Sequence, residues 1–190
     1  MSTKNIMLVG VGGQGTLLAS KVLTYGLMKA GYDVKMSEIH GMSQRGGDVS
    51  AHIRYGEKVH SSVIEKGSTD LLISFEQMEA YRWIPFMRKE GVALVNNQVI
   101  HPVSVLSGKA TYHDDIIGEL SKKIETKVVD ARKEAENLGN PRGTNMVLVG
   151  AAVKLLNLTE IDWKEAITAN VKPQFVEANM KTFERGLNLV

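Results

Sequence analysis

The chain has 190 residues, of which 43% are hydrophobic and 23% charged, and its formal net charge is +2. These values are typical of a globular domain and argue against a nucleic-acid-binding surface. The absence of cysteine excludes disulfides and thiolate-held iron–sulfur clusters, so any redox chemistry needs a cofactor bound in another way. There is no signal-peptide pattern and no apolar run of membrane length, which predicts a cytoplasmic protein without membrane contact.

A glycine-rich turn follows the first apolar run. Its glycines have the spacing G-x-G-x-x-G, with one extra glycine inside the pattern. This predicts a buried strand, a tight turn and a helix N-terminus, where backbone N–H groups and the helix dipole attract an anionic ligand. The candidate binding residues of this turn are Gly10, Gly12, Gly13, Gln14 and Gly15. The same spacing also occurs in strand–turn–helix units that bind nothing, so that alternative stays open.

The first forty residues predict a β-α-β unit of the Rossmann type. Residues 14–30 place their apolar side chains on one broad face of a helix, and residues 33–37 alternate like a strand. Parallel strands and a right-handed crossover follow from this order. A nicotinamide site needs an acidic residue at the end of the second strand. Glu38 lies near that position and Asp33 lies at the start of the strand, so the poor fit argues against NAD.

A polar loop at residues 38–48 follows the second strand and contains three glycines, a histidine and an arginine. It leaves the sheet at the same edge as the glycine turn, so the two loops together predict a cleft for an anionic or planar ligand. Arg45 suits a phosphate or carboxylate group. The candidate residues of this loop are Ser43, Gln44, Arg45, Gly46 and Gly47. The alternative is a connection whose glycines only permit turns.

Residues 49–54 and 59–64 alternate on either side of a turn, which predicts a β-hairpin and hence a mixed sheet. His52 and His60 would then lie near each other. We interpret them as half-exposed sheet residues, with a metal site as the alternative.

The remainder of the chain alternates between strands and helices, so the predicted fold is α/β, with an open, mostly parallel but mixed sheet. No phosphate loop, zinc-protease motif or nucleophile turn is present, and no catalytic residue is assigned. The further predicted strands are 70–75, 92–95, 111–113 and 127–130, and the predicted helices include 76–83, 116–124, 146–156 and one after Pro173. The last helix carries an apolar stripe that suits either the core or a partner surface: Val176, Met180, Phe183 and Leu187.

Several stretches together resemble the gamma-type domain of the 2-oxoacid:ferredoxin oxidoreductases. The resemblance covers residues 1–190 as a single domain of that type. Its separate-subunit format, its length and the histidine before Gly41-Met42 are most similar to the beta subunits of the indolepyruvate branch. The residues that carry it are Gly10–Gly15, Ile39–Gly47, His52–Gly56, Asn145-Met146, Asn179, Phe183 and Gly186.

The resemblance implies a subunit of an enzyme that converts a 2-oxoacid, here an aryl pyruvate, into its acyl-coenzyme A and reduces ferredoxin. Thiamine diphosphate and the iron–sulfur clusters would lie on a large alpha subunit, in agreement with the absence of cysteine here. The small chain would hold no cofactor alone. It would shape the cleft for coenzyme A or substrate, with Arg45 facing an anionic group. The alternative is that the Gly46-Gly47 loop contacts the alpha subunit itself.

Two alternatives to this function stay open. One is the gamma subunit of an enzyme for pyruvate, 2-oxoglutarate or branched-chain 2-oxoacids. The other is a freestanding regulatory module that binds NAD, flavin or a nucleotide by itself.

Overall fold

The computed structural model describes residues 3–41 and 47–190. Alternating strands and helices build an α/β fold, as predicted. The strands are β1 (Lys4–Val11), β2 (Asp33–His40), β3 (Asp48–Gly56), β4 (Thr69–Ser74), β5 (Met87–Asn96) and β6 (Glu125–Val129). The helices are α1 (Thr16–Lys29), α2 (Gln77–Trp83), α3 (Val103–Leu106), α4 (Ile116–Ser121), α5 (Ala131–Asn137), α6 (Thr144–Leu155), α7 (Trp163–Asn170) and α8 (Val176–Leu187).

The six strands form one mixed sheet in the order β2-β3-β1-β4-β5-β6. The pairs β1–β4, β4–β5 and β5–β6 are parallel. β3 is antiparallel to both of its neighbours, β1 and β2. β1 and β2 therefore run in the same direction, as a β-α-β unit requires, although β3 lies between them. The predicted mixed, mostly parallel sheet is confirmed.

The predicted pairing of residues 49–54 with 59–64 is wrong. Residues 59–64 form no strand, because both edges of β3 are already occupied by β1 and β2. The segment runs beside the sheet instead, where the Arg54 guanidinium donates to the carbonyl oxygens of Ser61 at 3.1 Å and Val63 at 3.2 Å. The short strand predicted at 111–113 is also absent.

Both faces of the sheet are covered, as the alternation along β1 shows. Ile6 and Leu8 belong to one core, with α1 and α5 to α8, while Met7 and Val9 belong to a second core with α2 and α4. All four side chains are fully buried. Strands buried on both faces read as continuous apolar runs, which explains the residues that precede the glycine turn. Within residues 3–41 and 47–190, no helix is both long enough and apolar enough to cross a membrane.

Helices α6 and α8 cross at two glycines. A Cβ at Gly150 would overlap the carbonyl oxygen of Phe183, and a Cβ at Gly186 would overlap that of Val147. The backbones of the two helices are therefore in direct contact. The residues that α8 buries fully are Asn179, Thr182, Phe183 and Gly186, and Met180 and Leu187 of the predicted stripe pack at the margin of the same core.

The helix crossing yields a first prediction. Gly150→Ala should lower the free energy of unfolding by about 1–3 kcal/mol, because backbone atoms rather than a movable side chain occupy the space of the new methyl group. Chemical denaturation monitored by circular dichroism measures this change. Glu184→Ala, at an exposed position of α8, is the control and should change stability little. Equal stability of Gly150→Ala and the native chain would show that the helices separate at no cost.

Candidate functional site

The carboxyl edge of the sheet has a crevice between β1 and β4. The helix that follows β1, α1, covers one face of the sheet, whereas α2, which follows β4, covers the other. Loops that diverge in this way open a crevice at the strand ends, where ligands bind in open α/β sheets. The glycine turn at 10–15 occupies this position, as predicted.

The glycine turn is held on both sides by the chain itself. The backbone N–H of Gly12 donates to the carbonyl oxygen of Gly47 at 2.9 Å, which joins the turn to the start of β3. Gly15 precedes α1 with a φ of +83°, a left-handed conformation that favours glycine. A Cβ there would lie 2.6 Å from Nδ2 of Asn145, whose amide contacts the carbonyl oxygen of Gly15.

The Gln14 carboxamide links the ends of β1 and β4. Its Oε1 accepts from the N–H of Val11 at 2.8 Å, and its Nε2 donates to the carbonyl oxygen of Phe75 at 3.1 Å. A Cβ on Gly10 would lie 2.7 Å from that Oε1 and 2.9 Å from Cβ of Phe75. The geometry gives Gln14 and Gly10 a structural part in the turn, whereas Gly13 is exposed, with open space where a Cβ would point.

A cleft of about 380 Å³ opens beside this turn. Arg132 and Arg142 supply its positive charge, and Glu136 pairs with Arg132 through an Oε1–Nε distance of 2.8 Å. Arg142 is exposed and has no ion pair in the part of the chain that the structure describes. The cleft is lined by Gly13, Gln14, Gly15, Phe75, Gln98, Arg132, Glu136, Pro141, Arg142 and Thr144.

The residues that sequence reasoning missed follow later strands and helices. Arg132 lies just after β6, and Gln98 just after β5, so both stand at the carboxyl edge that the first glycine turn defines. The rule that parallel strands end at one edge was sufficient to find them. Arg142 lies in the turn before α6, and its distance in sequence from any strand end hid it.

The second predicted loop is described only at its ends. Gly41 and Gly47 flank it, and the N–H of Gly41 donates to the carbonyl oxygen of Asp48 at 2.8 Å. Gly47 contacts the glycine turn, so the two loops meet as predicted. Four of the candidate residues lie outside the described residues, and their roles stay predictions: Ser43, Gln44, Arg45 and Gly46.

The interpretation of His52 as a half-exposed residue is wrong. Its side chain is only 5% exposed, and its Nδ1 accepts from the N–H of Ile64 at 3.2 Å. Burial lowers its pKa, which favours the neutral imidazole. His60 is exposed and does not lie across a hairpin from it. Among residues 3–41 and 47–190, no cluster of three or more histidine, aspartate or glutamate side chains could hold a metal ion.

Glu38 has a packing role in the structure. Its Oε1 accepts from the Ser20 hydroxyl at 2.6 Å, which ties β2 to α1. This contact gives a structural reason for an acid at this position and adds to the argument against a nicotinamide ribose there.

Glu76 is a buried carboxyl group that follows Phe75 directly in the sequence, at the carboxyl end of β4. Its side chain caps α2 by accepting from the N–H groups of Met78, at 3.1 Å, and Glu79. The residue is 1% exposed, and burial raises its pKa because the carboxylate loses its hydration.

Comparison with known proteins agrees with this fold. The chain matches the pyruvate ferredoxin/flavodoxin oxidoreductase family over residues 5–189. It is 40% identical to the indolepyruvate oxidoreductase subunit IorB of Thermococcus kodakarensis, over 98% of this chain and 96% of that relative. It is 24% identical to the 2-oxoglutarate synthase subunit KorC of Methanothermobacter thermautotrophicus, over 98% and 95% of the two chains.

A solved structure shows the same fold. The gamma subunit of keto/oxoacid ferredoxin oxidoreductase from Geobacter sulfurreducens superposes with a TM-score of 0.70 at 23% identity, covering 96% of this chain and 95% of that one. The fold and site thus define an open-sheet α/β domain with a glycine turn at its switch point. The chain belongs to the pyruvate ferredoxin/flavodoxin oxidoreductase family. The resemblance drawn from the sequence, including that to indolepyruvate subunits, is confirmed.

The buried Glu76 yields a second prediction. Its pKa is raised in the folded chain, so between the ordinary value of 4.5 and the raised value the folded state binds more protons than the unfolded state. The contribution of Glu76 to stability therefore falls as the pH rises through that window. Glu76→Gln should thus gain in stability relative to the native chain between pH 4 and pH 7, in denaturant titrations at each pH.

The control for this measurement is Glu160→Gln, which replaces a carboxylate at an exposed position. A difference for Glu76→Gln that moves in the opposite direction would mean that the two capping N–H groups outweigh the loss of hydration.

Proposed function

We propose that this chain is the small subunit of an indolepyruvate-type ferredoxin oxidoreductase. In the reaction, the bond between the carboxyl and keto carbons of an aryl pyruvate breaks, carbon dioxide leaves, and the acyl group joins the sulfur of coenzyme A, whose S–H bond breaks and releases a proton. The two electrons from the broken carbon–carbon bond pass to ferredoxin. The observation that carries this proposal is the identity of 40% to an indolepyruvate subunit, against 24% to a 2-oxoglutarate subunit, with 98% of this chain covered in each case.

The proposed division of labour follows from the chemistry that the chain lacks. Its sequence has no cysteine for iron–sulfur clusters. The family resemblance places thiamine diphosphate and the clusters on a large alpha subunit. This chain would then be inactive alone and would reach ferredoxin through the complex. A cytoplasmic location and the absence of nucleic-acid or membrane partners stay predictions of this proposal.

The proposed role of the glycine-turn cleft is to bind the phosphate groups of coenzyme A. Two arginines at one cleft suit phosphate oxygens, since a guanidinium offers paired N–H donors. The cleft also adjoins the N-terminus of the 14-residue helix α1, whose free N–H groups and dipole favour an anion. Both features support an anionic ligand here.

The two alternatives have less support. Subunits for other 2-oxoacids share the fold, and the lower identity to KorC argues against 2-oxoglutarate. A freestanding NAD-binding module would need an acidic residue free for a ribose, and Glu38 is engaged by Ser20.

The substrate assignment yields a third prediction. The chain, co-expressed with the large subunit of its own source, should reduce a dye when given indolepyruvate and coenzyme A, and should do so at least tenfold faster than with pyruvate or 2-oxoglutarate. The reason is that a pocket shaped for an aromatic group gains little from a small substrate. Faster turnover of another 2-oxoacid would contradict the assignment of indolepyruvate as the substrate, although the chain would still belong to the family. A chain that recovers no partner and binds NAD by calorimetry would contradict the proposal.

The cleft arginines yield a fourth prediction. Arg132→Gln and Arg142→Gln should each raise the KM for coenzyme A about tenfold or more, with kcat less affected, because each removes a charge-assisted hydrogen bond to an anionic group. Steady-state kinetics of the assembled enzyme measure the effect. Lys133→Gln, a neighbouring exposed cation outside the cleft, is the control. An unchanged KM for coenzyme A in both arginine variants would show that coenzyme A does not bind in this cleft.

The predicted role of Arg45 is tested in the same assay. Arg45→Ala should either raise the KM for coenzyme A or lower the yield of assembled complex, according to whether the loop faces the ligand or the alpha subunit. If both quantities are unchanged, Arg45 has neither role.

A further inference from the structure

A second cleft, of about 350 Å³, lies apart from the glycine turn. It is enclosed by α1, by the turn before α6 and by the junction between α7 and α8. Its volume is at the lower end of the range for small-molecule sites, roughly 300–1,000 Å³. The lining residues are Leu18, Asn140, Arg142, Asn170, Val171, Lys172, Phe175 and Asn179.

The charges of this second cleft are all of one sign. Arg142 and Lys172 are both exposed, and neither forms an ion pair within the described part of the chain. No carboxylate is among the lining residues that the structure describes. Two cations at one concave surface, without a compensating acid, favour an anionic ligand.

Part of the lining of this second cleft is apolar. Leu18, Val171 and Phe175 supply it, and Phe175 is 47% exposed. An exposed ring at a concave surface offers a flat face against which another planar group can stack. This apolar part of the lining distinguishes the second cleft from a site that only attracts phosphate.

Amide groups complete the second cleft. Asn179 is 9% exposed, and its Nδ2 donates to the carbonyl oxygen of Phe175 at 2.8 Å. The Nδ2 of Asn140, which also lines this cleft, is buried and has no hydrogen-bond partner within the described residues. A buried amide N–H without a partner is rare in folded proteins and suggests an acceptor supplied by a ligand.

We propose that the second cleft is a binding site for a small carboxylate with a flat apolar body, of the aryl-carboxylate class. The carboxylate pairs with Lys172 and Arg142, and the ring lies against Phe175. Arg142 lines both clefts, so a ligand in the second cleft competes for the guanidinium that the proposed function gives to coenzyme A. That coupling rests on the proposed function, whereas binding itself does not.

Calorimetric titration of the full chain with phenylacetate tests the site. Phenylacetate should bind measurably, and its neutral analogue phenylacetamide and ring-free acetate should each bind at least tenfold more weakly. Lys172→Gln and Phe175→Ala should each weaken phenylacetate binding about tenfold, the loss expected for one charge-assisted or stacking contact. Both changes are at exposed positions, so circular dichroism should show an unchanged fold.

The matched controls lie outside the second cleft. Lys164→Gln removes an exposed cation of α7, and Arg132→Gln removes a cation of the glycine-turn cleft alone, so neither should change phenylacetate binding. Absence of binding, equal binding of phenylacetamide, or an equal loss in Lys164→Gln would each overturn the proposal. Binding by the free chain that is lost in the assembled enzyme would also overturn it, because the partner would then cover the cleft.

The coupling is measured in the assembled enzyme. Phenylacetate at its Kd for the native chain should raise the KM for coenzyme A measurably in the native enzyme, and the same concentration should have a several-fold smaller effect in Lys172→Gln, whose site it then fills to only about a tenth. An enzyme that uses no coenzyme A but whose small chain still binds phenylacetate would contradict the proposed function and retain the site. A coenzyme A-dependent enzyme whose small chain binds no phenylacetate would contradict the second site and leave the proposed function intact.

Discussion

The bridge that Gln14 forms between β1 and β4 extends the link between these two strands past their last backbone hydrogen bond. The strands pair directly as far as the bond from the N–H of Phe75 to the carbonyl oxygen of Val9 at 2.9 Å, and beyond it their connections diverge to opposite faces of the sheet. One carboxamide accepts from the end of β1 and donates to the end of β4. Because Gly10 lacks a side chain, the carboxamide can approach closely enough to make both bonds. The helix N-terminus and the arginines of the cleft are positioned relative to that bridge.

The glycine turn therefore serves two purposes, and only one of them concerns a ligand. Gly10 and Gly15 allow close packing against Phe75 and Asn145. Gly13 is the position with open space towards solvent, where a bound group would meet only backbone. A glycine fingerprint in a sequence does not separate packing from binding, because both need the same missing Cβ.

Local patterns predicted the elements well and their partners less well. Alternation identifies a strand such as β3 because it depends on neighbouring residues alone. Which strand lies beside it depends on edges that distant residues occupy, so the segment 59–64 was assigned to β3 although β1 and β2 already filled its edges. The burial of His52 was missed for the same reason, since Ile64 and the covering segment lie outside its own pattern. Arg142 could not be predicted as a cleft residue, because it reaches the cleft only through the packing of α5 and α6 near the glycine turn. No sequence spacing indicates that packing.

Arg142 lines both clefts, so a ligand in one cleft can affect binding in the other. A guanidinium with no ion pair in the described chain keeps its full charge for incoming anions. When two anionic ligands share it, each lowers the affinity for the other by the same factor, since coupling free energies are reciprocal. Under the two proposals above, an aryl acid would lower the affinity for coenzyme A through this one residue. Control of acyl transfer would then lie on a chain whose sequence has no cysteine for iron–sulfur clusters.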